Sequence, residues 1–246
     1  MSANIISTIE KDGSAGLGDL EKTVILNALM SIPFSERDQK WRNDFLYSIA
    51  EANLKLGNPE VVIANDGFPY VQLETVNPNE NFHAYVISKQ LPTLLSQGFG
   101  VAINPQHDRV DWILSYGDIV NYELNDSFYT DKSIFSNNKE NLAIGKDEKI
   151  LIGQPSDSIL PKYLRAQIKE YLVHMGVKTP KIMLIARNYE DENLVSQDLV
   201  FNITPAQFKS DKTYNEIMSA ISWFLPKHYS FMGVDEMAVD NGFQAL

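Results

Sequence analysis

The chain has 246 residues, 44% of them hydrophobic and 22% charged, which is ordinary folded-protein composition and enough for one large domain or two small ones. Its 21 basic and 32 acidic residues give a net charge of −11, so its overall field repels phosphate backbones and anionic membranes. It has no cysteine, which excludes disulfides, thiolate nucleophiles and cysteine-ligated zinc. The start, MSANIISTIEKDG, has neither a basic n-region nor a continuous apolar h-region, and TVILNALMSI is too short to span a bilayer. A cytoplasmic protein with no nucleic-acid or membrane partner is the expectation.

In chain order, Asp19 is placed to cap a helix running to about Ser31, closed by Pro33. Ser35-Glu-Arg-Asp38 reads as the start of a second helix, in which Trp41, Phe45, Ile49 and Ala52 recur at helical spacing until Gly57-Asn58-Pro59. On that helix Arg37, Lys40 and Arg42, interleaved with Glu36, Asp38 and Asp44, read as a solvated face. EVVIAN and YVQLETV then read as strands joined by the turn DGFP. AYVISKQLPTLLSQG reads as a helix ending at Gly98, with Pro92 in its first turn, and GVAIN and VDWILSY as further strands. DIVNYEL is expected to continue the sheet, and the polar stretch after it to hold the domain boundary near residue 140.

The second part is more regular: strand KILIG, a helix from about Ser158 to Met175, strands KIMLIAR and DLVFNI, helix YNEIMSAISWFL and strand YSFMGV. That is β-α-β-β-α-β, the element order of the split-βαβ or ferredoxin-like arrangement. The expectation is thus an α+β protein of two modules, residues 1–140 and 141–246. The Gly-Gln-Pro-Ser-Asp loop entering the first helix of the second module reads as a turn and not a phosphate cradle. Pro155 and Pro161 lack N–H groups, and Asp157, with Ser158 a candidate cap, puts a carboxylate where the anion would sit.

The stretch ILIGQPSDSILPKYLRAQIKEYLVHMGVKTPKIMLIAR resembles the C-terminal domain of the SseB family (enhanced serine sensitivity protein), through its Ile-Gly-x-Pro strand end, long helix, GVKTPKI crossing and LIAR strand. The similarity covers residues 149 to about 235. It implies a cytosolic bacterial protein whose small α/β C-terminal module binds rather than catalyses, and it brings no catalytic residues with it.

Local chemistry is sparse. There is no Walker-type loop, no Gly-x-Gly-x-x-Gly after a strand, no Gly-x-Ser-x-Gly elbow and no His-Glu-x-x-His, so neither a cofactor nor a metal is expected. Of the four histidines, His83, His174 and His228 read as structural or surface residues. His107, with Asp108 and Asp111, is the candidate catalytic or hard-cation cluster, although neighbouring residues on a hairpin point to opposite faces. Asp118 is the further acid that an enzyme could recruit. Trp223 and His228 are the candidate partner-binding residues, Trp223 falling off the Ile217, Ile221 and Phe224 stripe. The reading that follows is a non-enzymatic protein-binding or regulatory module whose partner is another protein, a basic one being favoured by the charge. A small-molecule sensing module and a hydrolase-type or metal-dependent enzyme using the His107 loop are the alternatives.

Overall fold

The computed structural model describes residues 16–77, 80–135, 150–188, 195–239 and 241–246. Helices and mixed sheets make it an α+β protein. By internal contacts the chain divides into two compact units, Met1–Ile119 and Val120–Leu246, whereas the expected boundary near residue 140 lies outside the described residues.

In the first unit, α1 (Leu20–Met30) is capped by Asp19, whose side chain accepts from Lys22 N at 3.0 Å, and α2 (Gln39–Ile49) by Asp38, which accepts from Trp41 N at 2.8 Å. Ser35 does not cap; it lies in a single 3-10 turn, Phe34–Glu36. The expected continuation of this helix to Gly57 is replaced by β1 (Leu54–Ile63), whose register with β2 (Pro69–Thr75) shifts between Leu56 and Val61. Gly57-Asn58-Pro59 sits in that irregularity, where the missing proline N–H costs the ladder nothing. After the short α3 (Leu91–Gln97), Gly98 adopts φ 71° and closes the helix, a backbone that glycine enters freely. β3 (Gly100–Ile103) pairs parallel to β2, and β4 (Trp112–Leu114) antiparallel to β3, giving the order β1-β2-β3-β4 with β4 at an edge. Leu26, Phe45, Ile49, Leu73, Val101 and Leu114 are all fully buried in this unit.

DIVNYEL, residues 118–124, expected to continue the sheet, is instead part of a helix, α4 (Tyr116–Asn125), inside which the two units divide. Its start is a reciprocal pair: Ser115 N donates to Asp118 Oδ2 at 2.9 Å and Asp118 N to Ser115 Oγ at 3.1 Å.

The second unit runs β5 (Ile150–Gly153), α5 (Lys162–His174), β6 (Lys181–Asn188), β7 (Val195–Phe201), α6 (Asp211–Phe224), β8 (Phe231–Gly233) and β9 (Gln244–Ala245). The βαββαβ element order is therefore present, but the sheet order is β5-β6-β7-β8, with β9 also on β6. β5, β6 and β7 are antiparallel neighbours and β7 and β8 are parallel neighbours, so no strand is inserted between the two parallel ones as a split βαβ requires. α5 starts at Lys162 with Pro161 at its N-cap position, not Asp157 or Ser158, which form a preceding turn. Both β6 and β7 are buried on two faces: Met183, Ile185 and Val200 cluster on one, and by register Ile182, Leu199 and Phe201 occupy the other. Among the described residues no helix is long and apolar enough to cross a membrane.

Candidate functional site

A cleft of about 810 Å³ opens in the first unit. One wall is the 3-10 turn and the first turn of α2, contributing Phe34, Arg37, Trp41 and Arg42. The other is five consecutive residues, 109–113, which run from the His107 loop into the edge strand β4. The cleft thus sits where a helix N-terminal turn meets a sheet edge, and three of the protein's 21 basic residues line it.

Its floor is organised by Arg37. This side chain is only 8% exposed, and its guanidinium lies over the rings of Phe34 and Trp41, at 3.8 and 4.6 Å from their centroids. Nε donates to Ile32 O at 3.0 Å and Nη2 pairs with Asp111 Oδ1 at 2.7 Å. Nη1 is buried without a hydrogen-bond partner among the described residues. Arg37 is therefore not part of a solvated face as its neighbours suggested; tertiary packing folds it inward while Lys40 stays outside, paired with Asp44 four residues on.

Asp111 is the second organiser. Besides Arg37, its Oδ2 accepts from Asn104 Nδ2 at 2.8 Å and meets His107 Nδ1 at 3.0 Å. Asn104, at φ 50°, is anchored in turn by Thr75 N, which donates to its Oδ1 at 2.8 Å. A carboxylate with three donors around it tolerates burial, and the loop 104–111 is pinned at both ends. Of the cluster expected from sequence, His107 and Asp111 do come together, because the loop turns tightly enough to align residues four apart. Asp108 does not join them and is exposed. Asp118 points into the start of α4, accepting from Ser115 N. With Nδ1–H held by Asp111, a neutral His107 presents Nε2 as its lone-pair nitrogen, and the side chain is 49% exposed. His107 does not itself line the cleft.

Three aromatic rings back the arginines. Trp41 stacks on Phe45 with centroids 5.2 Å apart, and Trp112 lies 5.9 Å from Trp41 and 4.9 Å from Phe45. Trp41 Nε1 donates to Leu29 O at 2.9 Å, tying α2 to α1. At the rim, Phe34 is 37% and Ile113 51% exposed, and Arg109 sets its guanidinium 4.6 Å from the Phe34 ring. Two guanidinium groups thus address one ring, Arg37 neutralised by Asp111 and Arg109 with no ion pair among the described residues. Sequence reasoning missed this site because its two walls lie about 70 positions apart; the one local signal was the Arg37-x3-Trp41-Arg42 spacing.

The partner-binding candidates fare differently. Trp223 is only 9% exposed and packs edge-to-face on Phe224 at 5.1 Å, so it belongs to the core of the second unit and is not an exposed anchor. His228 is half-buried, edge-on to Tyr229 at 4.7 Å and to Phe135 at 6.1 Å, and burial holds its pKa below the ordinary imidazole value. Among the described residues no group of three or more His, Asp or Glu is arranged to hold a metal ion.

No protein-family model, curated protein or solved structure matches this chain.

Proposed function

We propose that the chain is a non-enzymatic protein-binding or regulatory module and that the cleft between residues 34–42 and 109–113 is its binding element. The observation that carries this reading is the lining: cationic and aromatic side chains, the types that dominate binding energy at protein interfaces, collected on one open face of an otherwise acidic protein. The lining sets Arg37, Arg42 and Arg109 against Asp38 and Asp111, a small positive excess in a protein of net charge −11, so complementarity at the cleft favours an acidic partner segment over the basic partner suggested by net charge.

A catalytic role for His107 draws less support. Its ring is oriented by Asp111 as a general base would be, but it stands outside the cleft lining. A cytoplasmic location and kinship of residues 149 to 235 with the SseB C-terminal domain belong to the same proposal. The similarity rests on Ile152-Gly153-Gln154-Pro155, which ends β5, and on Leu184 to Arg187 in β6.

The test is affinity capture from native extract with the wild type and with an Arg42→Glu, Arg109→Glu double variant. A specific protein retained by the wild type, released by salt and absent from the variant supports the reading. Equal capture by both removes the cleft from it.

A further inference from the structure

Resting on that reading, we infer that the occupant of the cleft is an extended acidic peptide segment carrying an aromatic or large apolar residue beside its carboxylates. Four features converge on this chemistry.

The first is unbalanced charge. Asp38 accepts from Trp41 N at the α2 cap and Asp111 is enclosed by Arg37, Asn104 and His107, and neither carboxylate pairs with Arg109 at the rim. A ligand carboxylate supplies what Arg109 lacks, and a guanidinium receives it through two parallel N–H groups.

The second is the floor. Arg37 is more than nine-tenths buried, lines the cleft and keeps Nη1 without an acceptor among the described residues. A buried donor in that condition is costly, and a ligand acceptor reaches it only where the rim side chains over it give way, so binding at the floor is coupled to their displacement.

The third is apolar surface at hand's breadth from the charges. Phe34 and Ile113 are exposed at the rim and Trp112 stands between them and the core, which suits a ring or branched side chain next to the carboxylate.

The fourth is shape. Sites for small molecules close over most of their ligand, whereas here Phe34, Gln39, Arg42, Arg109 and Ile113 all remain exposed. One wall is a continuous backbone that ends in β4, and among the described residues β4 pairs with β3 alone. An edge strand offers an extended chain a ladder of backbone groups, with alternate side chains directed across the groove.

The experiment is a fluorescence titration of the full chain, since two of its three tryptophans, Trp41 and Trp112, line the cleft while Trp223 reports from the other unit. The probes are capped hexapeptides alternating Glu with Phe, Glu with Ala, and Lys with Phe, together with free benzoate and inorganic phosphate. Saturable binding of the Glu-Phe peptide is expected, at least tenfold tighter than the Glu-Ala or Lys-Phe peptide, weakened by salt, and reduced at least tenfold by Arg109→Glu, an exposed substitution that spares the fold. Equal response to the Lys-Phe peptide, or binding unchanged in Arg109→Glu, overturns the inference. So does saturation by benzoate or phosphate as tight as by the peptide, which points to a small anion. If native capture still depends on Arg42 and Arg109 while every peptide fails, this inference falls and the binding-module reading stands. Capture independent of both arginines rejects the reading itself.

Discussion

Arg37 and Asp111 meet at 2.7 Å with side chains 8% and 1% exposed, and this buried pair joins the turn before α2 to the loop before β4. The two walls of the cleft are thereby held in one geometry from positions remote in sequence. Removing one member leaves the other charge buried and uncompensated, which costs about 3–5 kcal/mol. Asp111→Ala is therefore expected to lower the urea midpoint of the first unit strongly, read through Trp41 and Trp112 fluorescence, while Arg109→Glu at the exposed rim shifts it by less than about 0.5 kcal/mol. Equal shifts for the two would show that the pair organises nothing.

The imidazole of His107 offers an independent check on the same network. Its Nδ1 lies 3.0 Å from Asp111 Oδ2, so the neutral ring is expected to carry its proton on Nδ1. Nitrogen-15 NMR of the imidazole distinguishes the tautomers directly. Predominance of the Nε2–H form in the wild type would contradict the geometry, and Asp111→Asn is expected to abolish the preference.

Two tyrosines of the second unit give a paired prediction. Tyr229 donates its hydroxyl to Ile159 O at 2.8 Å, whereas the Tyr163 hydroxyl is buried without a partner among the described residues, and burial with the Glu123 charge pushes its pKa up to about 12. A lost neutral hydrogen bond costs about 1 kcal/mol, while deleting an unpaired buried hydroxyl costs nothing or stabilises. Thermal melts should therefore show Tyr229→Phe below the wild type and Tyr163→Phe level with it or above. A large loss from Tyr163→Phe would reveal a partner for that hydroxyl.

Stability between neutral and mildly acidic pH has an identifiable contributor in His228. Burial lowers its folded pKa from the ordinary 6.5, so below that value the unfolded chain takes up a proton that the folded one resists. The stability tied to this residue is complete above pH 6.5 and falls as the pH drops through the folded value. His228→Gln should flatten the decline in melting temperature between neutral and mildly acidic buffer. An unchanged slope would assign the decline to other groups.

Much of this architecture was legible from local pattern, and the failures have physical causes. Asp19 and Gly98 announced their helix ends because capping chemistry is local, and Ile217, Ile221 and Phe224 announced a buried stripe because helical period is local. Residues 118–124 were misread because Ile119 and Val120 are strand-type residues, while the Ser115–Asp118 cap and burial of Tyr116, whose hydroxyl reaches Leu95 O at 2.8 Å, decide for a helix. EVVIAN announced the second half of β1, whereas its first half was hidden by Gly57 and Pro59, which look like a helix stop and are the irregular part of the strand. Of the cleft lining, Asp111 alone stood out in the sequence, as a companion of His107 in a candidate catalytic or hard-cation cluster and not as a wall of a cleft. Arg37 sits among charged neighbours whose sequence pattern describes an exposed face, and only the fold brings it to Asp111.

The most direct test of the cleft as binding element is backbone hydrogen exchange of the protein alone and with the partner recovered by affinity capture. Protection is expected to rise at residues 34–42 and 109–113 together, the two segments that form the cleft walls. Protection confined to residues 150–246, with both walls exchanging as in the free protein, would contradict it.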